Sequence, residues 1–205
     1  MKATFKKRGQ IVDENDYLQK AKDLIQSGAV KEALDALKEA SKLLPQSWQI
    51  LLMAGQILIE IGQSEIAVSP LKKARQINPD NFKVRAALGY ALGRAFALRE
   101  GVAELEVAET MQPNDDEVLR NLGWMRCMSG EIEKGRETLH RAIKIDPQNA
   151  LIYNDLAASY LYTDAVDLDK AQDYCLRALE ISPGHPFFLQ TWQNIQERLS
   201  EQAEE

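Results

Sequence analysis

The chain has 205 residues, of which 45% are hydrophobic and 27% are charged, a composition typical of a folded globular domain or a compact repeat array. Eleven glycines, seven prolines and the lack of a long apolar run exclude a collagen-like chain, a mostly disordered chain and a transmembrane helix. The formal net charge of -6 argues against nucleic acid as a partner, because phosphate contacts need a concentrated basic face.

The two ends of the chain are expected to lie outside its folded part. Residues 1–13 form a basic N-terminal arm with four positive side chains and without the apolar stretch that a secretory signal requires. We expect this arm to be flexible, since chain ends fray unless other contacts hold them. Residues 201–205 form an acidic tail. Because the sequence carries no export signal, a cytoplasmic location is expected.

Prolines recur at a regular interval through most of the chain. Four of them are 34 residues apart, and a fifth follows after 36. A fixed period of this length indicates a repeat architecture. The five prolines are Pro45, Pro79, Pro113, Pro147 and Pro183. With each proline at position 32 of a repeat, residues 14–185 divide into five repeats, which are 14–47, 48–81, 82–115, 116–149 and 150–185.

Each repeat carries a pattern of small and apolar residues that predicts two helices. Positions 4, 7, 8 and 11 share one face of a first helix, and positions 20, 24 and 27 share one face of a second. Position 8 is Ala or Gly in every repeat, and position 27 is Ala in every repeat once a two-residue insertion within Thr163 to Asp169 of the fifth repeat is allowed for. The two helices can therefore pack closely as an antiparallel hairpin. We expect Gly28, Gly62 and Gly130 to form the turn between the helices. Each proline is expected to end the second helix.

The third repeat has Phe96 at the turn position where three other repeats have glycine. We expect the Phe96 ring to be buried in the packing. The alternatives are a longer turn, or a turn that presents Phe96 for docking.

Residues 186–200 follow the fifth repeat and predict a C-terminal capping helix. Phe188, Trp192, Ile195 and Leu199 fall on one helical stripe, and polar residues cover the other sides. A repeat array needs such a polar-backed element at its end.

The recurring residues resemble the tetratricopeptide repeat, in which a large residue, Leu, a small residue and an aromatic mark the first helix and Ala, a large apolar residue, Ala and Pro mark the second. The resemblance covers residues 14–185, and Lys20, Arg85 and Arg126 depart from positions that are usually apolar. It implies an all-α fold, a right-handed superhelical solenoid of helix-turn-helix repeats. It also implies that the first helices line a concave groove that binds proteins.

Aromatic residues, Met, Arg and Asn are concentrated on the predicted groove face of the third to fifth repeats. Tyr, Trp and Arg often carry much of the energy of an interface, and Arg binds carboxylates through its forked guanidinium. In an acidic chain these residues predict a partner segment with acidic or carboxylate character. The role of Trp124 stays open, since its side chain could either pack between repeats or contact a ligand. The predicted partner-binding residues are Met53, Lys83, Tyr90, Arg94, Arg120, Asn121, Trp124, Met128, Asn154 and Tyr162.

The groove residues disfavour one subtype of the family. Chaperone-binding members hold a C-terminal carboxylate with Lys, Asn and Arg at set positions of three consecutive repeats, and no three repeats of this chain carry that set. Asn121 occupies one of these positions, but the preceding repeat has Ala86 and Tyr90, and the following one has Leu151 and Asp155. A heat-shock chaperone adaptor is therefore disfavoured.

No residue pattern indicates catalysis. The sequence has no Gly-rich phosphate loop, no nucleophile elbow and no paired histidines. Its two cysteines, Cys127 and Cys175, are too few for a zinc site or a disulfide framework. We predict no catalytic residues, no cofactor and no metal.

The predicted function is a non-catalytic scaffold or adaptor that binds a protein or peptide partner in the groove. Two alternatives stay open. In the first, the chain forms homo-oligomers through its terminal arm and groove, since the basic arm and the acidic tail are complementary in charge. In the second, the array is a targeting subunit of a larger enzyme complex.

Overall fold

The computed structural model describes residues 4–7, 10–164 and 166–204 and contains two strands and eleven helices within them. Each repeat contributes two helices, and one more helix follows the fifth repeat. The first helices of the repeats are α1 (Glu14–Gln26), α3 (Trp48–Glu60), α5 (Phe82–Arg94), α7 (Asp116–Met128) and α9 (Ala150–Tyr162). The second helices are α2 (Val30–Leu43), α4 (Ser64–Ile77), α6 (Leu98–Met111), α8 (Ile132–Ile145) and α10 (Leu168–Ile181), and the last helix is α11 (Pro186–Glu204).

A β-hairpin precedes the helices. Its strands, β1 (Thr4–Lys7) and β2 (Gln10–Asp13), pair antiparallel, with Thr4 opposite Asp13 and Lys7 opposite Gln10. The sequence pattern predicted an arm over residues 1–13 and no strand. The hairpin is therefore an addition to the predicted all-α fold.

Every first helix begins after a polar capping residue, and these caps recur with the period of the repeat. In each case a side-chain oxygen accepts a hydrogen bond of 2.9 to 3.2 Å from a backbone N–H of the first turn. The capping residues are Asp13, Ser47, Asn81, Asp115 and Asn149. A cap of this kind stabilises a helix by about 1 kcal/mol. The residue before each repeat thus fixes where its first helix starts.

Each second helix ends two residues before its proline, as predicted. The α2 helix ends at Leu43, and Leu44, directly before Pro45, has a ψ of 67°. The proline ring clashes with a helical conformation in the residue before it, so this residue turns toward an extended conformation. The same holds before three of the other prolines, where Asn78, Asp146 and Ser182 have ψ values of 80°, 91° and 80°.

The turn between the two helices of a repeat contains a residue with left-handed backbone conformation. Gly28, Gly62 and Gly130 have φ values of 79°, 77° and 95°, which confirms their predicted role. Phe96 occupies the same place with a φ of 61°, and its side chain is 87% exposed. The prediction that Phe96 is buried is wrong because this turn position points away from the packing: a Cβ on any of the three glycines would meet no heavy atom within 4 Å.

The helices group into two compact units, residues 1–108 and residues 109–205, each with apolar cores of its own. Alanines and leucines from the repeated positions form most of both cores. In the N-terminal unit the buried residues include Ala21, Ala33, Leu37, Ala40, Ile50, Ala67, Leu71, Ala74, Val84 and Leu88. In the C-terminal unit they include Leu119, Leu139, Ala142, Ile152, Leu156, Ala157, Ala171 and Cys175.

Three charged residues depart from the repeat pattern, and the structure shows how each is accommodated. Arg85 Nη1 pairs with Glu104 Oε2 at 2.7 Å. Arg126 Nη1 donates a hydrogen bond of 2.9 Å to Thr138 Oγ1. Lys20 is exposed to solvent. Each charge is therefore paired, hydrogen-bonded or hydrated.

The α11 helix packs on the core of the C-terminal unit through its predicted stripe. Phe188 and Ile195 are 1% and 0% exposed. Trp192 and Leu199 are partly buried against the same core as Ile195. The prediction of a helix that covers apolar side chains after the fifth repeat is confirmed.

Candidate partner-binding site

The predicted site residues of the N-terminal unit lie in more than one place. Met53 lines a cleft of about 280 Å³ on α1 and α3, together with Lys22 and Glu60 among others. Arg94, at the end of α5, lines another cleft of about 370 Å³ with residues 62–66. Met53 and Arg94 therefore do not share a pocket.

The other two predicted residues of the N-terminal unit lie on α5 and differ in exposure. Tyr90 is half-buried. Lys83 is exposed, and its Nζ lies 5.9 Å from the centroid of the Phe82 ring. Their contact with a partner stays a prediction.

Arg120 links the two first helices of the C-terminal unit. Its Nε lies 3.9 Å from Asp155 Oδ2 on α9, and its Nη2 donates a hydrogen bond of 3.1 Å to Asn121 Oδ1 on α7. The Arg120 and Asp155 side chains are only 16% and 15% exposed. A separation of 3.9 Å is too long for a hydrogen bond, and among the described residues Arg120 Nε has no hydrogen-bond partner. The guanidinium thus keeps donor capacity beside a carboxyl group.

Asn154 has unused hydrogen-bonding capacity on the same helix as Asp155. It is fully buried, and neither its amide oxygen nor its amide nitrogen has a partner in the part of the chain that the structure describes. Buried side-chain amides nearly always have a partner from protein or ordered water. Arg120, Asn121, Asn154 and Asp155 are called the polar cluster below.

Exposed apolar side chains lie at the ends of the two helices that carry the polar cluster. Met128, the last residue of α7, is 44% exposed, and Tyr162, the last residue of α9, is 49% exposed. The Tyr162 hydroxyl accepts a hydrogen bond from Asn194 of α11. Trp124 is half-buried, which is compatible with either of the roles left open for it.

Burial raises the pKa of the Asp155 carboxyl to about 7, because the charged form loses its hydration, and the Arg120 guanidinium opposes this rise. Asp155 therefore titrates near neutral pH. Protonated and ionised forms coexist there, so Asp155 does not fully neutralise the charge of Arg120.

An Asp155→Asn variant is expected to gain stability relative to wild type as the pH rises from about 4 to about 7. The pKa of Asp155 is higher in the folded state than in the unfolded state, so deprotonation of Asp155 lowers the free energy of unfolding. This loss of stability is absent below about pH 4, grows between about pH 4 and about pH 7, and is constant above about pH 7. Asparagine does not titrate and escapes this cost. Chemical unfolding of both proteins at several pH values measures the difference, and a difference that does not change with pH would contradict the raised pKa.

A family model of the tetratricopeptide repeat matches residues 18–82. Two human proteins named for this repeat each align with the chain over 139 residues: interferon-induced protein with tetratricopeptide repeats 2 at 28% identity, and tetratricopeptide repeat protein 7A at 26%. The chain therefore contains tetratricopeptide repeats. The alignments cover 66% and 68% of this tetratricopeptide repeat protein but only 29% and 16% of the two relatives, so the chain spans less than a third of their length.

Solved structures of other proteins share the fold, and two of them, TTC0263 and YrrB, are described as tetratricopeptide repeat proteins. TTC0263 from Thermus thermophilus matches with a TM-score of 0.73 at 21% identity, over 89% of this chain and 98% of that one. YrrB, described as having an unusual peptide-binding site, matches with a TM-score of 0.64 at 20% identity, over 86% and 90% of the two chains. PilW, a type IV pilus biogenesis factor, matches with a TM-score of 0.74 at 18% identity, over 91% and 90%. These likenesses confirm the predicted fold of helix-turn-helix repeats.

Asp155 was not among the candidate site residues predicted from the sequence. Asp155 occupies position 6 of the fifth repeat, the position that Asn121 holds in the fourth. This equivalence was a signal that the two side chains lie on the same face of neighbouring first helices. The burial that raises the pKa of Asp155 had no signal in the sequence.

Within residues 4–7, 10–164 and 166–204, no three His, Cys, Asp or Glu side chains are placed to hold a metal ion, and no helix is both long enough and apolar enough to cross a membrane. Burial raises the pKa of the thiols of Cys127 and Cys175 to about 11. Both thiols are therefore protonated at neutral pH, and a protonated thiol is a poor nucleophile.

Proposed function

We propose that this tetratricopeptide repeat protein is a non-catalytic scaffold that binds an acidic segment of a partner protein on the face shared by α7 and α9. The observation that carries the proposal is the donor capacity of Arg120, whose side chain is 16% exposed and whose Nε has no hydrogen-bond partner among the residues that the structure describes. A carboxylate beside Arg120 would supply acceptors for the guanidinium donors that the hydrogen bond to Asn121 does not use. Asp155, half protonated near pH 7, leaves part of the Arg120 charge available to such a partner.

The exposed apolar residues near the cluster support the same proposal. Met128 and Tyr162 provide apolar surface, and a polar group surrounded by apolar contacts is the arrangement that concentrates binding energy in an interface. Asn194 holds the Tyr162 hydroxyl, so less conformational entropy is lost when a partner packs on the ring. The description of YrrB as a peptide-binding tetratricopeptide repeat protein supports a peptide segment as the ligand.

Arg120→Glu is expected to reduce the recovery of the partner at least tenfold, because a buried charge pair across an interface typically contributes about 2 kcal/mol or more. The measurement is an affinity purification from native lysate with quantitative mass spectrometry, using wild type and variant side by side. Arg177→Glu is the matched control, since Arg177 lies on α10 and pairs with Glu180 at 2.8 Å. Circular dichroism must show equal helix content for all three proteins.

Two results would contradict the proposal. A partner recovered equally by wild type and by Arg120→Glu would place its binding site away from the polar cluster. A partner lost equally from both variants would show that binding responds to net charge and not to the position of Arg120.

A further inference from the structure

Neither the backbone conformation of Phe96 nor the exposure of its side chain to solvent stabilises the folded monomer. Its φ of 61° lies in the left-handed region, which is unfavourable for residues other than glycine. Its side chain is 87% exposed, so little of its apolar surface is removed from water. Gly62 and Gly130 occupy the equivalent turns in other repeats, so the fold accepts glycine at this place. A strained and exposed aromatic residue indicates a role outside the folded monomer.

The second repeat, which precedes the repeat of Phe96, also has exposed apolar side chains at its turn. Ile61 and Ile66 flank the turn between α3 and α4 and are 41% and 58% exposed. Residues 62–66 also line the cleft of about 370 Å³ to which Arg94 contributes, and Arg94 is two residues from Phe96. The turn of the second repeat and the end of α5 therefore meet at this cleft. We call the exposed side chains at the turns of the second and third repeats the turn edge; they are Glu60, Ile61, Glu65, Ile66, Arg94, Phe96 and Arg99.

The charges of the turn edge have opposite signs on its two repeats. The second repeat has Glu60 and Glu65 at positions 13 and 18, and the third repeat has Arg94 and Arg99 at the same two positions. All four side chains are exposed. None of them takes part in the ion pairs found among the described residues. The turn edge thus has an acidic half and a basic half, with apolar side chains on both.

We propose that the turn edge is a homodimer interface in which two copies of the chain are related by a two-fold axis. In such an interface one patch meets the same patch of the other copy, so the acidic half of each copy can face the basic half of the other. Phe96 of each copy then packs against Ile61 and Ile66 of the other. A partner of a single charge sign would match only half of the turn edge, which favours a second copy as the occupant. This interface is separate from the polar cluster and does not depend on the proposed function.

Phe96→Gly tests the apolar part of this interface. In sedimentation experiments on the full chain from about 1 µM to about 500 µM, we expect wild type to dimerise and the variant to dimerise at least tenfold more weakly. The variant measured at low concentration is expected to unfold about 2–4 °C higher, because glycine relieves the backbone strain. This rise shows that a loss of dimer does not come from misfolding. Phe187→Ala, which removes another exposed aromatic side chain (54% exposed), is the control and should dimerise like wild type.

Charge reversal tests whether the occupant is a second copy. Arg94→Glu combined with Arg99→Glu makes the whole turn edge acidic and should prevent dimerisation. Adding Glu60→Arg and Glu65→Arg inverts both halves and should restore it, because the edge is again complementary to itself. In a homodimer both turn edges carry the four changes, so the fourfold variant is expected to regain binding. A different partner protein would not carry these changes, and the fourfold variant would not regain binding to it.

The proposal is overturned by any of four results. These are a wild-type chain that stays monomeric to about 500 µM, a Phe96→Gly variant that dimerises like wild type, a fourfold variant that does not regain the dimer, and loss of the dimer on deletion of residues 1–12. The last result would assign the association to the N-terminal arm.

Discussion

Replacing Gly135 with alanine is expected to lower the free energy of unfolding of the C-terminal unit by about 3 kcal/mol. A Cβ on Gly135, in α8, would lie 2.6 Å from the carbonyl oxygen of Gly123 and 2.7 Å from the backbone nitrogen of Cys127, and it would also overlap Cys127 Sγ. The two backbone atoms belong to α7 and cannot rotate away as a side chain can. The helices would therefore have to separate, and the close-packed core beside them would lose contacts. Urea unfolding followed by far-UV circular dichroism measures the loss.

Gly130→Ala is the control for this prediction. A Cβ on Gly130 would meet no heavy atom within 4 Å, so only its φ of 95° penalises alanine, by about 1 kcal/mol. Ala33 and Ala171 hold the position of Gly135 in the first and fifth repeats, so alanine is compatible with the repeat as such. A loss below about 1 kcal/mol for Gly135→Ala would contradict the close approach of α7 and α8.

The helices of the repeats could be predicted from the sequence because their signals act locally. A proline restricts the residue before it, and a small residue at position 8 permits a close helix pair within the same repeat. The caps from Asp13 to Asn149 are equally local, and they could have fixed the start of each first helix. The hairpin of β1 and β2 was missed because alternation over four residues is too short to identify a strand.

The repeat pattern does not predict the side-chain exposure and pairing that define the candidate binding surfaces. Phe96 was expected to be buried because large apolar residues usually are, whereas its exposure follows from the direction of one turn position. Arg120 was predicted to lie on the groove face of a first helix from its position in the repeat, but its ion pair with Asp155 depends on side-chain conformations in two different repeats. The pattern places residues on faces and does not determine which of them meet. The residue types of the α7 and α9 face were therefore predictable, and the pairing within it was not.

Replacing Arg136 with alanine is expected to lower the free energy of unfolding by about 3 kcal/mol. The Arg136 side chain is 8% exposed. Its Nη2 and Nε donate hydrogen bonds of 2.9 Å and 3.2 Å to the carbonyl and hydroxyl oxygens of Ser159, and its Cζ lies 3.6 Å from the centroid of the Tyr160 ring. Ser159 is fully buried, so the variant removes donors from groups that water does not reach and leaves a cavity against the ring. Urea unfolding of wild type and variant measures the effect.

Arg136→Lys separates the geometry of the side chain from its charge. A lysine ammonium is compact and cannot lie flat on Tyr160 while it donates to both oxygens of Ser159. We therefore expect Arg136→Lys to recover no more than half of the stability lost in Arg136→Ala. Arg177→Ala, a change at an exposed arginine of α10, should cost less than about 0.5 kcal/mol and controls for loss of a positive charge. If Arg136→Lys were as stable as wild type, the buried contact would need only a cation, and the forked hydrogen bonding to Ser159 would contribute nothing measurable.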